Sequence, residues 1–152
     1  MYSFWESHSV LANIIRFSGN IILSMLAIFI CFGILESIWF TLIAGDWYRA
    51  SLGKLLREEF IVWPWVVFYL IYAGAIFVLA VVANRDKPLY YAGIDGALLG
   101  LASYGAYNLT NFSVIEDYDL KIAMVDWGWG IILTAMSAMV GWMGFQLNRQ
   151  EA

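Results

Sequence analysis

Charge is scarce in this sequence. Of its 152 residues, 13% are Asp, Glu, Lys or Arg, whereas a soluble globular domain carries about one quarter. Only eight residues are Lys or Arg, and they form no basic run, so a nucleic-acid partner is not expected. The shortage of charge also excludes an ordinary water-soluble domain, because 62% of the residues are hydrophobic and a chain this short cannot bury so many.

Residue types that commonly bind metals or cofactors are scarce as well. The single histidine, His8, lies before the first long apolar run, which excludes a haem with two His ligands and a His-based zinc site. The single cysteine, Cys31, excludes an intramolecular disulfide. There is also no Gly-rich phosphate loop and no GxSxG motif. We therefore predict that the protein has no metal site and no cofactor.

Four long apolar runs dominate the rest of the chain. They cover about residues 17–44, 61–82, 89–112 and 120–145, and each is long enough to cross a hydrocarbon core of roughly 30 Å. The mean hydropathy of the whole chain is +0.74. These runs predict an all-α fold, in which residues 1–152 form one domain, an integral membrane bundle of four transmembrane helices.

Two stretches outside the runs have the pattern of short interfacial helices. In residues 1–16, Ser3 and Glu6 have the spacing of a capping box, and apolar residues follow them. In residues 45–60, apolar residues recur at helical spacing among charged ones. We expect this second segment to lie at the membrane surface, as a connector or as a lid over a site.

The orientation of the bundle is poorly specified by the loops. An even number of spans places both termini on one side, and each side carries four Lys or Arg residues. The loop acids then favour cytoplasmic termini, although acids contribute little to this rule. The basic residues are Arg16, Arg85, Lys87 and Arg149 on the side of the termini, and Arg49, Lys54, Arg57 and Lys121 on the other.

Polar residues within the predicted spans are concentrated at one depth. Glu36 in the first span, Asn108 and Asn111 in the third, and Asp126 in the fourth all lie roughly 8 to 12 Å below the same surface, at a rise of 1.5 Å per residue. Polar groups are costly there, so we predict that they face one another as a site. The candidate ligand-binding residues are Glu36, Tyr104, Asn108, Thr110, Asn111, Asp126 and Trp129, and the candidate catalytic residues are Glu36 and Asp126.

Small residues in the third run predict a face that a neighbouring helix can approach closely. They recur every three or four residues in the third run and lead into a polar stripe, and a similar row lies along one face of the fourth run. The row of the third run is Gly93, Gly96, Gly100 and Ser103, and that of the fourth is Asp126, Gly130, Thr134, Ser137 and Gly141.

The polar layer has two interpretations from the residues alone. Asn and Asp side chains can simply bridge helices, which contributes about 0.6 kcal/mol per contact and at most about 2. Alternatively, Glu36 and Asp126 can share a proton, act as general acid and base, move protons, bind a cation or hold the hydroxyl or headgroup of a lipid. Asp95 enters from the opposite surface and is predicted to be a separate feature.

Four stretches of the sequence are characteristic enough to compare with known families: LESIWFTLIAGDWYRASLGKLL, WPWVVFYLIYAGAIFVLAV, GALLGLASYGAYNLTNF and MVDWGWGIILTA. They resemble a family of small bacterial membrane proteins known only as a domain of unknown function (DUF2177), over about residues 17–145. The resemblance implies a four-helix fold in the bacterial inner membrane, no established activity, and genes often located near those of lipid-modifying enzymes. Thr110, Asn111 and Asp126 match the family, which usually has Asp at the positions of Glu36 and Asn108; the second change puts in doubt any chemistry that needs that acid.

Two functions follow as hypotheses. The first is an accessory protein that binds a lipid, an isoprenoid or a partner helix through the polar layer; its partners would be membrane lipids, a membrane-protein complex or further copies of itself. The second is a cofactor-free acid/base enzyme that modifies lipids, or a proton-coupled carrier, using Glu36 and Asp126. The residues alone do not decide whether the protein is an enzyme.

Overall fold

The computed structural model describes residues 2–53, 57–147 and 149, with side chains from residue 17 onward, and this part of the chain contains helices and turns but no strand. The five α-helices are α1 (Tyr2–Ile38), α2 (Gly45–Leu52), α3 (Trp63–Ile76), α4 (Leu89–Val114) and α5 (Leu120–Gln146). A π-helical turn, Trp39–Ile43, extends α1. Another π-helical turn, Phe77–Val81, followed by a 3₁₀ turn, Val82–Asn84, extends α3. The predicted all-α fold is confirmed at this level.

Three helical segments of the described residues are long and apolar enough to cross a membrane: Phe17–Ile43, Trp63–Asn84 and Leu120–Gln146. They coincide with the first, second and fourth predicted spans. The third predicted span coincides with α4, which has 26 residues but is less apolar than the three candidate spans. The reason is its content of glycine and of polar residues such as Asp95, Asn108 and Asn111.

The surface segments differ from their predicted extents. Helix α1 begins at Tyr2 and continues without a break into the first span, so residues 2–16 are not a separate helix; their side chains lie outside the described residues. Helix α2 ends at Leu52, and residues 57–62 are not helical, while residues 54–56 lie outside the description. Gly53 follows α2, and glycine is among the weakest helix formers, which is consistent with the earlier end.

The outward face of α1 is apolar and its inward face is partly polar. Leu26, Ile30 and Ile34 are more than half exposed, whereas Asn20 and Ser24 are buried. In water this distribution would be unfavourable, but hydrocarbon solvates aliphatic side chains and leaves polar groups to find partners inside. Ser24 does so, since its hydroxyl donates to the backbone oxygen of Gly141 on α5 at 2.8 Å.

Helices α4 and α5 form a closely packed antiparallel pair. A Cβ added to Gly96 would lie 2.7 Å from the Cβ of Ala138, and one added to Gly100 would lie 2.5 Å from the backbone oxygen of Gly130. No larger side chain fits at these positions, because the opposing atoms belong largely to the neighbouring backbone. The row of small residues was predicted to admit a neighbouring helix, and the structure shows that this helix is α5. The polar row of α5, from Asp126 to Gly141, is buried throughout.

A separate polar cluster joins three helices at the opposite end of the bundle. The side-chain amide of Asn84 donates to Asp95 at 2.6 Å, and Lys87 donates to the Asn84 side-chain oxygen at 3.0 Å. The indole of Trp142 donates to the backbone oxygen of Asn84 at 2.9 Å. Asp95 thus pairs within this cluster, apart from the other polar residues of α4.

Candidate functional site

Asp126 belongs to a group of hydrogen-bonded side chains that we call the closed cluster: Asp126, Asn108 and Tyr118. The amide nitrogen of Asn108 donates to the Asp126 carboxylate at 2.7 Å and to the backbone oxygen of Tyr104 at 3.1 Å. The Tyr118 hydroxyl donates to the amide oxygen of Asn108 at 3.0 Å. Asn108 is fully buried, and both its amide hydrogens and its oxygen have partners, so its side chain is completely satisfied.

The surface loops cover the closed cluster. Burial raises the pKa of Tyr118, in the loop between α4 and α5, to about 12, and neighbouring Asn111 partly offsets this through a hydrogen bond. Burial, and next the negative charge of Asp126, also raise the pKa of Tyr48 on α2. Lys121 lies 4.7 Å from the ring of Trp47, which holds α2 to the beginning of α5. Asp126 therefore lies beneath two phenols and has little access to solvent.

Glu36 occupies a different environment, on the wall of a cleft of about 370 Å³ between α1 and α3, which we call the open cleft. Tyr104 donates from its hydroxyl to Oε1 of Glu36 at 3.1 Å. The other carboxylate oxygen, Oε2, is buried and has no hydrogen-bond partner in the described part of the chain. The cleft is lined by Phe29, Phe32, Gly33, Glu36, Ser37, Tyr69, Tyr72 and Ala73.

Tyr104 is positioned by the close packing of α4 and α5. Its ring lies on Gly130, where any Cβ would overlap the ring atoms. Deeper in the bundle, the hydroxyl of Tyr72 lies 2.7 Å from that of Ser103 and 2.9 Å from that of Thr134. Hydrogen bonds to α4 and α5 thus fix Tyr72, and packing on α5 fixes Tyr104, so the wall of the open cleft is well supported.

Two tryptophans stack on each other where the first helical segment meets α5. Trp39, in the π-helical turn after α1, lies parallel to Trp129 of α5, with ring centroids 4.8 Å apart and an angle of 5° between the planes. Trp39 is 4% exposed. The indole nitrogens of both residues are buried and lack a hydrogen-bond partner among the described residues. Such unpartnered donors are rare in folded proteins, because each costs the desolvation of a polar group.

The structure divides the predicted polar layer into two groups. It brings Asn108 into contact with Asp126, and Tyr104 into contact with Glu36. The remaining candidates occupy other positions: Asn111 lies next to Tyr118, Trp129 stacks on Trp39, and Thr110 is exposed on α4. Among the described residues, no three His, Cys, Asp or Glu side chains form a metal-binding group.

Sequence reasoning missed Tyr118 and Tyr48 as partners of the polar layer. Both lie outside the predicted spans, one in an acidic turn and the other in a surface segment. Tyr72 on α3 also lines the open cleft. The sequence feature that could have indicated them is the number of tyrosines, nine in the chain, which is more than membrane interfaces alone require.

Comparison with known proteins gives a family but no function. No curated protein and no solved structure matches the chain. The sequence model of one family, described as "Predicted membrane protein (DUF2177)", matches residues 21–143, which include both the closed cluster and the open cleft. This match confirms the resemblance noted from the sequence. The chain therefore belongs to the DUF2177 family of predicted membrane proteins, whose function is unknown.

Proposed function

We propose that the protein is a four-span membrane protein that binds the polar end of an amphiphilic lipid in the open cleft, next to Glu36. The observation that carries the proposal is the carboxylate of Glu36, a residue that lines the cleft: one oxygen accepts from Tyr104, while the other is buried without a partner. Polar groups left incomplete at membrane depth are expensive and usually serve function.

The proposal treats α4 as the fourth span. Its 26 residues extend over about 39 Å at 1.5 Å per residue, which exceeds the hydrocarbon thickness of roughly 30 Å. It also packs along α5, itself a candidate span, so both helices occupy the same depth. The polar residues Asn108 and Asp95 have partners inside the protein, which removes the main obstacle to insertion. We place this bundle in the bacterial inner membrane with cytoplasmic termini.

The shape of the cleft suits lateral entry of a lipid. It lies between two candidate spans and is lined mainly by aromatic side chains, among them Phe29, Phe32 and Tyr69. Its volume is at the lower end of small-molecule sites, which range from about 300 to 1,000 Å³. A headgroup with the first part of its chain would fill it, while the rest of the chain stays among the bilayer lipids.

The alternative function, an acid/base enzyme or proton-coupled carrier that uses Glu36 and Asp126 together, has weaker support. The connection between the carboxylates runs from Glu36 to the side chain of Tyr104, and from its backbone oxygen to Asn108. A backbone carbonyl has no proton to pass on. The two acids are therefore not joined by a continuous proton path through these groups.

Native mass spectrometry of the protein, extracted gently from its own membrane, tests the proposal. Gly33 lines the cleft, and a Cβ there meets no atom within 4 Å, so Gly33→Leu should fill the cleft without disturbing the helix contacts. Gly74 has the same free space but does not line the cleft, so Gly74→Leu is the matched control. We expect a bound mass of lipid size that Gly33→Leu loses and Gly74→Leu keeps.

Two results would contradict the proposal. One is the same bound lipids in the wild type and in Gly33→Leu. The other is a stoichiometric complex with another membrane protein that depends on the cleft and contains no lipid, since the occupant would then be a partner helix.

A further inference from the structure

Helix α2 covers the closed cluster, yet few contacts hold it there. In the described part of the chain, none of the α2 residues is buried. The outward side of the helix carries Asp46 and Arg49, whose side chains are 98% and 81% exposed. A helix of eight residues is also too short to be stable without packing. The position of α2 therefore depends on the few side chains that face the rest of the protein.

Those side chains are Trp47, Tyr48 and Ser51, which lie on one side of the helix. The ring of Trp47 lies 4.7 Å from Nζ of Lys121, and the Ser51 hydroxyl donates to Oδ2 of Asp119 at 3.5 Å. Both partners are exposed residues at the beginning of α5. An exposed cation–π contact and a long hydrogen bond are each weak, so these two contacts can break without disturbing the bundle.

Tyr48 is the residue of α2 that covers Asp126. Burial, and next the negative charge of the Asp126 carboxylate, raise the pKa of the Tyr48 phenol. The Tyr48 ring also packs against Phe40, with ring centroids 5.5 Å apart. Asp126 is 6% exposed and lies in the second turn of α5, close to the surface end of that helix. A movement of α2 that withdrew Tyr48 would therefore open the carboxylate to the water at this surface.

A glycine lies at each end of α2. A Cβ on Gly45 would overlap the backbone oxygen of Phe40, and a Cβ on Gly53 would overlap that of Arg49. Glycine also has more backbone freedom than other residues, and small residues at the ends of elements often act as hinges. The π-helical turn Trp39–Ile43 precedes Gly45 by one residue, and such turns are frequent at functional sites. Both ends of α2 are therefore suited to pivot.

From these observations we propose that α2 is a lid, which pivots at Gly45 and Gly53 and controls the access of water to Asp126. In the closed position, which the structure describes, Tyr48 separates the carboxylate from the aqueous phase. In the displaced position the contacts of Trp47 and Ser51 break, and Asp126 comes within reach of water-soluble molecules. The inference is independent of lipid binding in the open cleft, because it concerns the other carboxylate.

The experiment measures how fast Asp126 reacts with a water-soluble carbodiimide and glycine ethyl ester in the full chain, purified in mild detergent. The reagents convert carboxyl groups that meet water into amides, which mass spectrometry locates. We expect slow modification of Asp126 in the wild type. Lys121→Met removes the cation beside Trp47, so the rate should rise about two- to fivefold. Arg49→Met is the matched control, since it removes a positive charge from the outward side and should leave the rate unchanged.

A cross-link tests the lid in the opposite direction. The variant Cys31→Ser/Ser51→Cys/Asp119→Cys carries two thiols at positions whose native side-chain oxygens are 3.5 Å apart. A short bis-methanethiosulfonate reagent joins them and fixes α2 to the beginning of α5. Modification of Asp126 should then be lost, and reduction of the cross-link should restore it. Because one variant is compared before and after reduction, the loss of Asp119 as helix cap affects both measurements equally.

Three results would overturn the lid. They are equal rates at Asp126 in the cross-linked and reduced protein, equal rates in Lys121→Met and Arg49→Met, and no modification of Asp126 in any variant. Glu36 distinguishes lid movement from unfolding, since its rate should stay constant throughout. A parallel rise at Glu36 in Lys121→Met would mean that the bundle unfolds, and the cross-linked protein then decides. Lipid binding and its loss in Gly33→Leu have no bearing on these outcomes.

Discussion

The closed cluster and the open cleft each contain one carboxylate, yet they differ in how completely that carboxylate is surrounded. Asp126 is 6% exposed, accepts from Asn108 and lies beneath Tyr118 and Tyr48. Glu36 has one donor, Tyr104, and one free oxygen at a cleft. The difference teaches that an acid at membrane depth is not in itself a functional site. A carboxylate that has its hydrogen-bond partners within the protein holds helices together, whereas one with an unpartnered oxygen can still bind a ligand.

The packing of the helices explains why the two regions differ. Helices α4 and α5 approach closely because glycines line their contact, and Asp126 is enclosed beside them by Asn108, Tyr118 and Tyr48. Between α1 and α3 the contact is made by large rings instead. Phe32 meets Tyr69 at 5.5 Å and Tyr72 at 5.8 Å between ring centroids, both edge to face. Such bulky, rigid contacts hold two helices apart and leave the space that forms the cleft.

The largest effect is expected from disturbing the close pair. Gly100→Leu would place a side chain against the backbone of Gly130, which cannot move aside without separating α4 from α5. We expect a loss of about 3 kcal/mol or more, as for severe overpacking, measured as thermal stability in detergent. Gly128→Leu is the control on α5, since a Cβ there meets no atom within 4 Å. Equal stability of the two variants would mean that the α4–α5 contact does not have this geometry.

The next effect distinguishes the two carboxylate environments directly. Asn108→Leu leaves the Asp126 carboxylate buried without its amide donor, so we expect a loss of about 2 to 3 kcal/mol in the free energy of unfolding. Glu36→Leu removes an incompletely paired carboxylate but also leaves the Tyr104 hydroxyl without its acceptor. These two effects oppose each other, so we expect a change of only about 1 kcal/mol, smaller than that of Asn108→Leu. Lipid retention should show the reverse order, lost in Glu36→Leu and kept in folded Asn108→Leu. Similar destabilisation by both variants would show that the two carboxylates are equivalent after all.

The smallest effect concerns Tyr118 and its pH dependence. Burial raises its pKa from about 10 to about 12, so the folded state holds the phenol proton more tightly than the unfolded state does. This contribution to stability is complete below about pH 10 and is lost as the pH rises through about 12. Tyr118→Phe should cost about 1 kcal/mol at neutral pH, for one hydrogen bond to Asn108. The free energy of unfolding, measured by chemical denaturation between pH 8 and 12, should therefore fall less steeply with pH in the variant than in the wild type. Parallel falls would contradict a raised pKa of Tyr118.

Prediction from sequence was accurate where a repeating pattern carried the information. The apolar runs located three candidate spans and α4, and the glycine row of α4 marked a face that a neighbouring helix approaches closely, although not which helix. It was less accurate at the surface, where α2 is shorter than expected and α1 absorbs the segment predicted as a separate helix. No strong periodicity marks those boundaries, and a single glycine, Gly53, lies where α2 ends.

The candidate site was only partly predictable for a geometric reason. Depth along a helix follows from residue number, so Glu36, Asn108 and Asp126 could be assigned to one layer. Which of them touch depends on helix rotation and on partners from distant parts of the chain. Tyr104 reaches Glu36 across 68 positions, and Tyr118 enters from a loop that no pattern marked as part of the layer.

The sequence by itself determined that this is a helical membrane protein with acids at membrane depth, because composition and periodicity depend only on the order of residues. The tertiary structure alone decided that Asp126 is enclosed and that Glu36 borders a cleft. Hydrogen-bond satisfaction and empty space are properties of several helices together: glycines let α4 and α5 meet closely near one carboxylate, and aromatic rings on α1 and α3 line the cleft beside the other.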